Sequence, residues 1–148
     1  MNDGIKEILN YLKQNDFLIA IISNSYTFLI EDLAKRLEIE YFFGNVLEVK
    51  EDFFTGRIIM PWKRVIKDCE YHSICKLAVI KKIMKGKNIS ESCILAIGDS
   101  DADYCMLAYA KIAVAYGNKG KELDKIPNII RSNNFHEIFN ILKVKLKD

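Results

Sequence analysis

The sequence predicts a doubly wound α/β fold, in which helices cover both faces of a parallel sheet. Two short runs, at residues 17–22 and 93–97, are apolar at every position, as strands buried on both faces usually are. Segments with helical spacing of apolar residues lie between these runs, and such alternation is typical of parallel sheets. Each run stops at polar residues, at the edge where such sheets bind their ligands.

The other elements follow from spacing and from helix and turn signals. Asp3 can cap a first helix, whose apolar positions are Ile5, Ile8, Leu9 and Leu12. A second helix follows the polar residues after the first apolar run, with an inward face formed by Phe28, Leu29, Leu33 and Leu37. Residues 41–60 are typical of a strand that runs into a β-hairpin. Ser73 can cap a third helix that ends near Gly86. Later elements are a helix at 102–110, strands at 112–115 and 128–130, and a helix at 135–142.

Length and composition indicate one ordinary domain spanning residues 1–148. Half of the residues are apolar, which is enough for a continuous core. A net charge of only +2, with interspersed signs, argues against a nucleic-acid binder. No apolar run suits a membrane span and no signal pattern opens the chain, so we expect a cytoplasmic protein without a membrane partner. The four cysteines, which show no C-x-x-C pairing, are expected to be reduced packing residues: Cys69, Cys75, Cys93 and Cys105.

An acidic cluster follows the second apolar run. Asp99, Asp101 and Asp103 repel one another, so a cation or hydrogen-bond donors should offset their charge, and hard oxygen ligands favour magnesium. A calcium-binding EF-hand loop is excluded, because position six would be Tyr104 instead of Gly and position twelve Ala110 instead of Glu. The remaining alternative is a helix N-terminus whose acids complement the helix dipole.

Ser23 and Lys76 are candidates for holding an anion. Ser23 ends the first apolar run, and its hydroxyl with the backbone N–H groups of a following helix could bind a phosphate oxygen. The alternative is a helix cap. Lys76 lies in the first turn of its helix, where a cation opposes the dipole, and such a placement suits a group that neutralises a phosphate or carboxylates. The alternative is an ordinary surface lysine.

Together these positions resemble motifs two, three and four of the haloacid dehalogenase (HAD) superfamily, and most of all its phosphoserine phosphatase branch. Ser23 in Ile-Ile-Ser-Asn-Ser resembles motif two, Lys76 motif three, and Gly-Asp99-Ser-Asp-Ala-Asp103 motif four. The resemblance runs from about Gly4 to the C-terminus. It implies a three-layer Rossmann-like parallel sheet, the HAD-like core, with a small β-hairpin insertion at 44–60.

The resemblance also implies roles and a substrate class. Asp99 would bind Mg²⁺ directly, and Asp103 would support the metal shell or Lys76. Ser23, with Asn24 beside it, would hold a phosphoryl oxygen, and Lys76 would neutralise the charge that develops in transfer. The substrate would be a phosphorylated small molecule, hydrolysed as a phosphomonoester. Two departures from the branch concern the substrate: Asn24-Ser25 stands where Gly-Gly is usual, and Ala102 stands where Asn is usual.

The family's Asp-x-Asp motif, which holds the nucleophile, and the helical cap after it do not precede Ser23. The first 22 residues hold only Asp3 and Asp16, neither in that pattern. We therefore expect the first central strand of the sheet to be absent and this chain alone to be inactive. An N-terminal Asp-x-Asp polypeptide, a segment exchanged in a homodimer, or direct pairing of the two flanking strands could close the gap.

Three readings of function stay open. In the first, the chain is part of a phosphatase that is active when another segment or chain supplies the Asp-x-Asp motif. In the second, it is a non-catalytic relative that uses the phosphate pocket for binding or regulation. In the third, the motifs are chance matches on an unrelated α/β fold. Turnover after addition of an Asp-x-Asp fragment separates the first reading from the second.

Overall fold

The computed structural model describes residues 4–62, 65–66 and 74–146, and the chain divides into two compact units. The hairpin unit comprises Ile19–Ile83, and the acidic-loop unit comprises Met1–Leu18 with Met84–Asp148. The helices are α1 (Ile5–Gln14), α2 (Thr27–Leu37), α3 (Lys76–Lys87), α4 (Tyr104–Tyr109) and α5 (Phe135–Lys145). The strands are β1 (Ala20–Tyr26), β2 (Tyr41–Lys50), β3 (Phe53–Ile59), β4 (Leu95–Gly98), β5 (Ile112–Tyr116) and β6 (Ile130–Ser132).

The hairpin unit contains a three-stranded sheet in the order β1-β2-β3. Strands β1 and β2 run parallel, whereas β2 and β3 form an antiparallel hairpin. Glu51 and Asp52 make the two-residue turn of this hairpin with positive φ angles of 48° and 65°, the backbone that suits the twist of a hairpin. Helix α2 packs on β1 and β2, and β1 is one of the two edge strands of its sheet.

The acidic-loop unit contains a second three-stranded sheet, in which β4, β5 and β6 all run parallel in that order. Strand β5 lies in the middle and is the most deeply buried, with Val114 and Ala115 at 0% exposure. Helix α5 packs against α1 and β6. Parallel strands joined through helices confirm the predicted α/β class. Strand β4, which carries the acidic cluster at its carboxyl end, is one of the two edge strands of this sheet.

The predicted inward face of α2 is wrong at three of its four residues, while the fourth, Leu37, is half-buried. Phe28, Leu29 and Leu33 are 49%, 53% and 42% exposed, while Ile30 and Ala34 are buried. The Ile30 side chain lies against β2 at Gly44, where the absence of a side chain leaves room for it. Phe28 instead lies between Tyr26 and Phe54, with ring centroids 6.0 and 6.2 Å away.

Helix α1 begins after Gly4, whose φ of 86° is left-handed. The predicted caps Asp3 and Ser73 both lie outside the described residues. Among the described cysteines, those free of disulfides are Cys75, Cys93 and Cys105. In the part of the chain that the structure describes, no helix combines the length and apolar character needed to cross a bilayer.

Candidate functional site

Ser23 lies in a bulge of β1. Ile22 pairs with Phe43 and Tyr26 pairs with Asn45, so three residues of β1 stand opposite one residue of β2. We call these three residues, Ser23–Ser25, the serine bulge. The extra residues leave the regular ladder, which is how bulges redirect side chains at sites.

The Ser23 hydroxyl is set up to donate a hydrogen bond. The backbone N–H of Ser25 donates to Ser23 Oγ at 3.1 Å, so an acceptor position of the hydroxyl is used and its proton can point to another acceptor. The prediction that a helix opens directly after Ser23 is wrong: α2 begins at Thr27. The strand continues instead, because Tyr26 still pairs with β2.

Gly44 and Asn45 of β2 support the serine bulge from behind. A Cβ atom on Gly44 would lie 2.7 Å from the Ser25 carbonyl oxygen, so only glycine allows this approach of the two backbones. Asn45 is buried, and its Nδ2 donates to the Asn24 carbonyl oxygen at 2.7 Å. The sequence pattern missed both residues as functional candidates, although a glycine within a strand often marks a close backbone approach.

The serine bulge is joined to the start of α3, which carries Lys76. Asn24 Oδ1 accepts a hydrogen bond from the Ile74 backbone N–H at 3.2 Å. Lys76 is the first residue of α3, which agrees with its predicted place in the first turn, and it is half-buried. Lys76 therefore adds a positive charge at the N-terminal end of the helix, where the helix dipole is already positive. Ser23, Asn24 and Lys76 thus lie in one unit, where a hydroxyl donor and a cation suit an anion.

In the acidic-loop unit, Asp103 organises the loop that runs from Gly98 to Asp103, which we call the acidic loop. Its side chain is only 1% exposed. Its Oδ2 atom accepts hydrogen bonds from Asp99 N at 3.0 Å, Ser100 N at 3.1 Å and Ser100 Oγ at 3.2 Å. Several hydrogen-bond donors offset the cost of burying a carboxylate, and the carboxylate in turn fixes the backbone of the residues that donate to it.

The three predicted carboxylates have different environments. Asp101 Oδ1 accepts a hydrogen bond from the Glu122 backbone N–H at 2.8 Å, and Asp103 has the donors described above. Asp99 is exposed, and no hydrogen bond to its carboxylate is found among the described residues. Donors of the protein therefore offset two of the charges, and the third carboxylate remains accessible to a cation.

Asp99 fits the chemistry of a magnesium ligand. Mg²⁺ prefers oxygen ligands and commonly binds proteins through one or two carboxylates while it keeps several waters. In residues 4–62, 65–66 and 74–146, no group of three or more His, Cys, Asp or Glu side chains is placed to hold a metal. As a ligand, Asp99 would supply one carboxylate of a largely hydrated ion, and Asp103 would hold the backbone that presents it.

The family model for haloacid dehalogenase-like hydrolases matches residues 1–108, which is most of the chain. The chain belongs to this family. The predicted resemblance is thereby confirmed at the level of the family, and the α/β sheets described above are those of its Rossmann-like core.

Among curated relatives, the similarity of this HAD-like chain is to phosphoserine phosphatases. It is 27% identical over 144 residues to the phosphoserine phosphatase of Archaeoglobus fulgidus, covering 97% of this chain and 40% of that protein. It is 28% identical over 141 residues to that of Streptococcus thermophilus, covering 95% and 62%. The chain thus spans between two fifths and under two thirds of the length of these relatives.

Solved structures show the same fold. A phosphoserine phosphatase determined as a phospho-aspartyl intermediate analogue matches with a TM-score of 0.74 and 22% identity, covering 95% of this chain and 63% of that one. A phosphoserine phosphatase in apo form matches with a TM-score of 0.74 and 25% identity, covering 94% and 66%. The predicted fold class, a HAD-like α/β core, is confirmed by these likenesses.

Proposed function

We propose that these 148 residues supply the phosphate-binding and metal-binding parts of a magnesium-dependent phosphomonoester hydrolase that resembles the phosphoserine phosphatases. The observation that supports this proposal is the hydrogen bond between Ile74 N and Asn24 Oδ1. It joins the serine bulge to the start of the helix that contains Lys76. In a chain of a hydrolase family, a hydroxyl and a lysine held in this way suit a phosphoryl group. The substrate would be a phosphorylated small molecule.

Each candidate residue has a distinct task in this proposal. The Ser23 hydroxyl donates to a phosphoryl oxygen, and Asn24 holds the bulge that presents Ser23. Lys76 neutralises negative charge that grows on the phosphoryl oxygens during transfer. Asp99 is the direct metal ligand, and Asp103 acts through the backbone of Asp99. When bound, Mg²⁺ supplies Lewis-acid polarisation of a phosphoryl oxygen.

The nucleophile would come from an Asp-x-Asp segment. In the family's order of motifs, this segment stands before the motif that contains Ser23. Residues 1–22 contain no such motif. Strands β1 and β4 are each outermost in their own sheet, and an outer strand offers backbone groups to which another strand can add. A separate N-terminal polypeptide or a segment of a homodimer partner could therefore supply both a strand and the nucleophile.

Release of phosphate after complementation tests the proposal. The chain is mixed with a polypeptide that carries a strand, an Asp-x-Asp motif and a helical cap, and phosphate release from phosphoserine is measured with and without Mg²⁺. We expect turnover only in the mixture with Mg²⁺. Lys76→Met should lower kcat by at least about tenfold, whereas Lys85→Met, an exposed lysine of the same helix, should not.

A stable complex of the two pieces without turnover would contradict this proposal. If that complex, or the chain alone, binds inorganic phosphate, the result would favour a non-catalytic phosphate-binding or regulatory relative. Size measurements of the chain alone would show whether a homodimer forms without the added polypeptide.

The metal assignment gives a separate prediction. Asp99→Asn should weaken Mg²⁺ binding by at least about tenfold, because a charged ligand becomes a neutral one. Calorimetric titration of the chain with Mg²⁺ measures the change. Asp124→Asn is the control, since Asp124 is an exposed acid of the same unit that pairs with Arg131 at 2.6 Å. Equal Mg²⁺ affinity in the Asp99→Asn variant and the unsubstituted chain would show that Asp99 is not the ligand.

A further inference from the structure

Asn45 is one of the few buried polar residues of the described chain. Its side chain is 9% exposed, and its Nδ2 donates to the Asn24 carbonyl oxygen at 2.7 Å. Its Oδ1 atom is buried and has no hydrogen-bond partner among the described residues. Burying an amide costs free energy when only one of its two polar atoms has a hydrogen-bond partner, so packing alone does not explain this residue. The bond to Asn24 is therefore the feature that explains Asn45.

Asn24 is held from two sides. Asn45 binds its backbone carbonyl, while its own side-chain oxygen accepts from the N–H of Ile74 at 3.2 Å. Ile74 is 1% exposed, so this N–H depends on a protein acceptor. The hydrogen bonds form a chain from β2 through the serine bulge to the residue that lies two positions before Lys76.

We propose that Asn45 is a positioning residue for the phosphate site. It fixes Asn24, so that the serine bulge with Ser23 and the first turn of α3 with Lys76 keep the relative geometry that an anion requires. This inference rests on the phosphate roles given to Ser23 and Lys76 under the proposed function. Asn45 itself touches neither substrate nor metal in this scheme.

The chemistry of the contact explains why asparagine stands at this position. The Asn24 carbonyl can only accept, so the atom that faces it must be a donor. Aspartate has the same shape but would present a second acceptor, and alanine would present nothing. Gly44 brings the two backbones together at this point, because any Cβ there would lie 2.7 Å from the Ser25 carbonyl oxygen.

Amide hydrogen exchange at Ile74 tests the inference on the chain as it exists. In Asn45→Asp and in Asn45→Ala, exchange at Ile74 N–H should become at least about fivefold faster, the loss expected for one hydrogen bond. The reference is the amide of Val79, which donates to the Cys75 carbonyl oxygen within the same region at 3.2 Å. Its exchange should stay within about twofold, so that a local change is separated from general unfolding.

Asn24→Ala is the matched variant, because it removes the side-chain acceptor of the Ile74 N–H while Asn45 stays in place. It should also speed exchange at Ile74.

A titration with inorganic phosphate in the presence of Mg²⁺ should give a Kd about fivefold weaker for Asn45→Asp than for the unsubstituted chain. If the Asp variant does not fold, the Ala variant provides the same comparison.

The positioning role of Asn45 and the proposed function would be contradicted by different results. Unchanged exchange at Ile74 in the folded Asn45 variants would overturn the positioning role, whatever the phosphate affinity. Failure of the unsubstituted chain to bind inorganic phosphate, alone or with the Asp-x-Asp polypeptide, would overturn the proposed function instead.

Discussion

Asp103→Ala should lower the free energy of unfolding by about 3 kcal/mol, a loss of roughly 10 °C in Tm for a chain of this size. The carboxylate is buried and its Oδ2 accepts three hydrogen bonds, from Asp99 N, Ser100 N and Ser100 Oγ. Alanine removes this acceptor and leaves the donors of the acidic loop without a partner while it opens a small cavity. Chemical denaturation followed by circular dichroism measures the change.

Two variants sharpen this experiment. Asp103→Asn keeps the shape and one acceptor oxygen but loses the charge, so its loss should be smaller than that of Asp103→Ala. Asp32→Ala removes an exposed acid that pairs with Arg36 on the surface of α2. Its effect should stay within about 0.5 kcal/mol. An Asp103→Ala variant as stable as Asp32→Ala would mean that the acidic loop does not depend on this carboxylate.

The acidic loop shows what the sequence could predict and what it could not. Three aspartates within five residues predicted that their charges must be offset, and the structure shows donors to two of them. The sequence could not tell which ones, because the donor to Asp101 is the N–H of Glu122, 21 residues further along the chain. Long-range contacts of this kind depend on the fold and leave no local pattern.

Helix α2 was misjudged for a related reason. Its spacing allowed an inward face with Phe28, Leu29 and Leu33, but Ile30 and Ala34 are also apolar and lie beside that face. Periodicity identifies an amphipathic helix well only when one face is polar. Ile30 faces Gly44, where the missing side chain leaves room: a Cβ there would lie 2.3 Å from Ile30 Cδ1. The partner strand therefore decided which face was buried.

The serine bulge and its support illustrate the same limit at the site itself. The sequence predicted the strand, the polar residues at its end and the position of Lys76 in its helix. It did not predict that the strand would continue to Tyr26, since that depends on pairing with Asn45. Local propensity identified the reactive groups, and the register between β1 and β2 determined how they are held.

Gly98→Ala should destabilise the chain by about 2 kcal/mol and disturb the acidic loop, because the position has no room for a methyl group. A Cβ on Gly98 would lie 2.6 Å from both Cβ and Cγ of Asp103 and 2.9 Å from its Oδ2. The Asp103 side chain cannot move aside cheaply, since its carboxylate holds the N–H groups of Asp99 and Ser100. Denaturant unfolding gives the stability, and Mg²⁺ titration should show weaker binding because Asp99 moves with its backbone.

Gly86→Ala provides a control with the same chemical change and the opposite expected sign. Among the described residues, a Cβ on Gly86 would meet no atom within 4 Å apart from nearby backbone of its own helix, and Gly86 lies inside α3. Alanine is favoured over glycine within a helix by about 0.5 to 1 kcal/mol, so this variant should be slightly more stable. If both substitutions shift stability in the same direction by similar amounts, the space beside Asp103 is not what requires glycine at position 98.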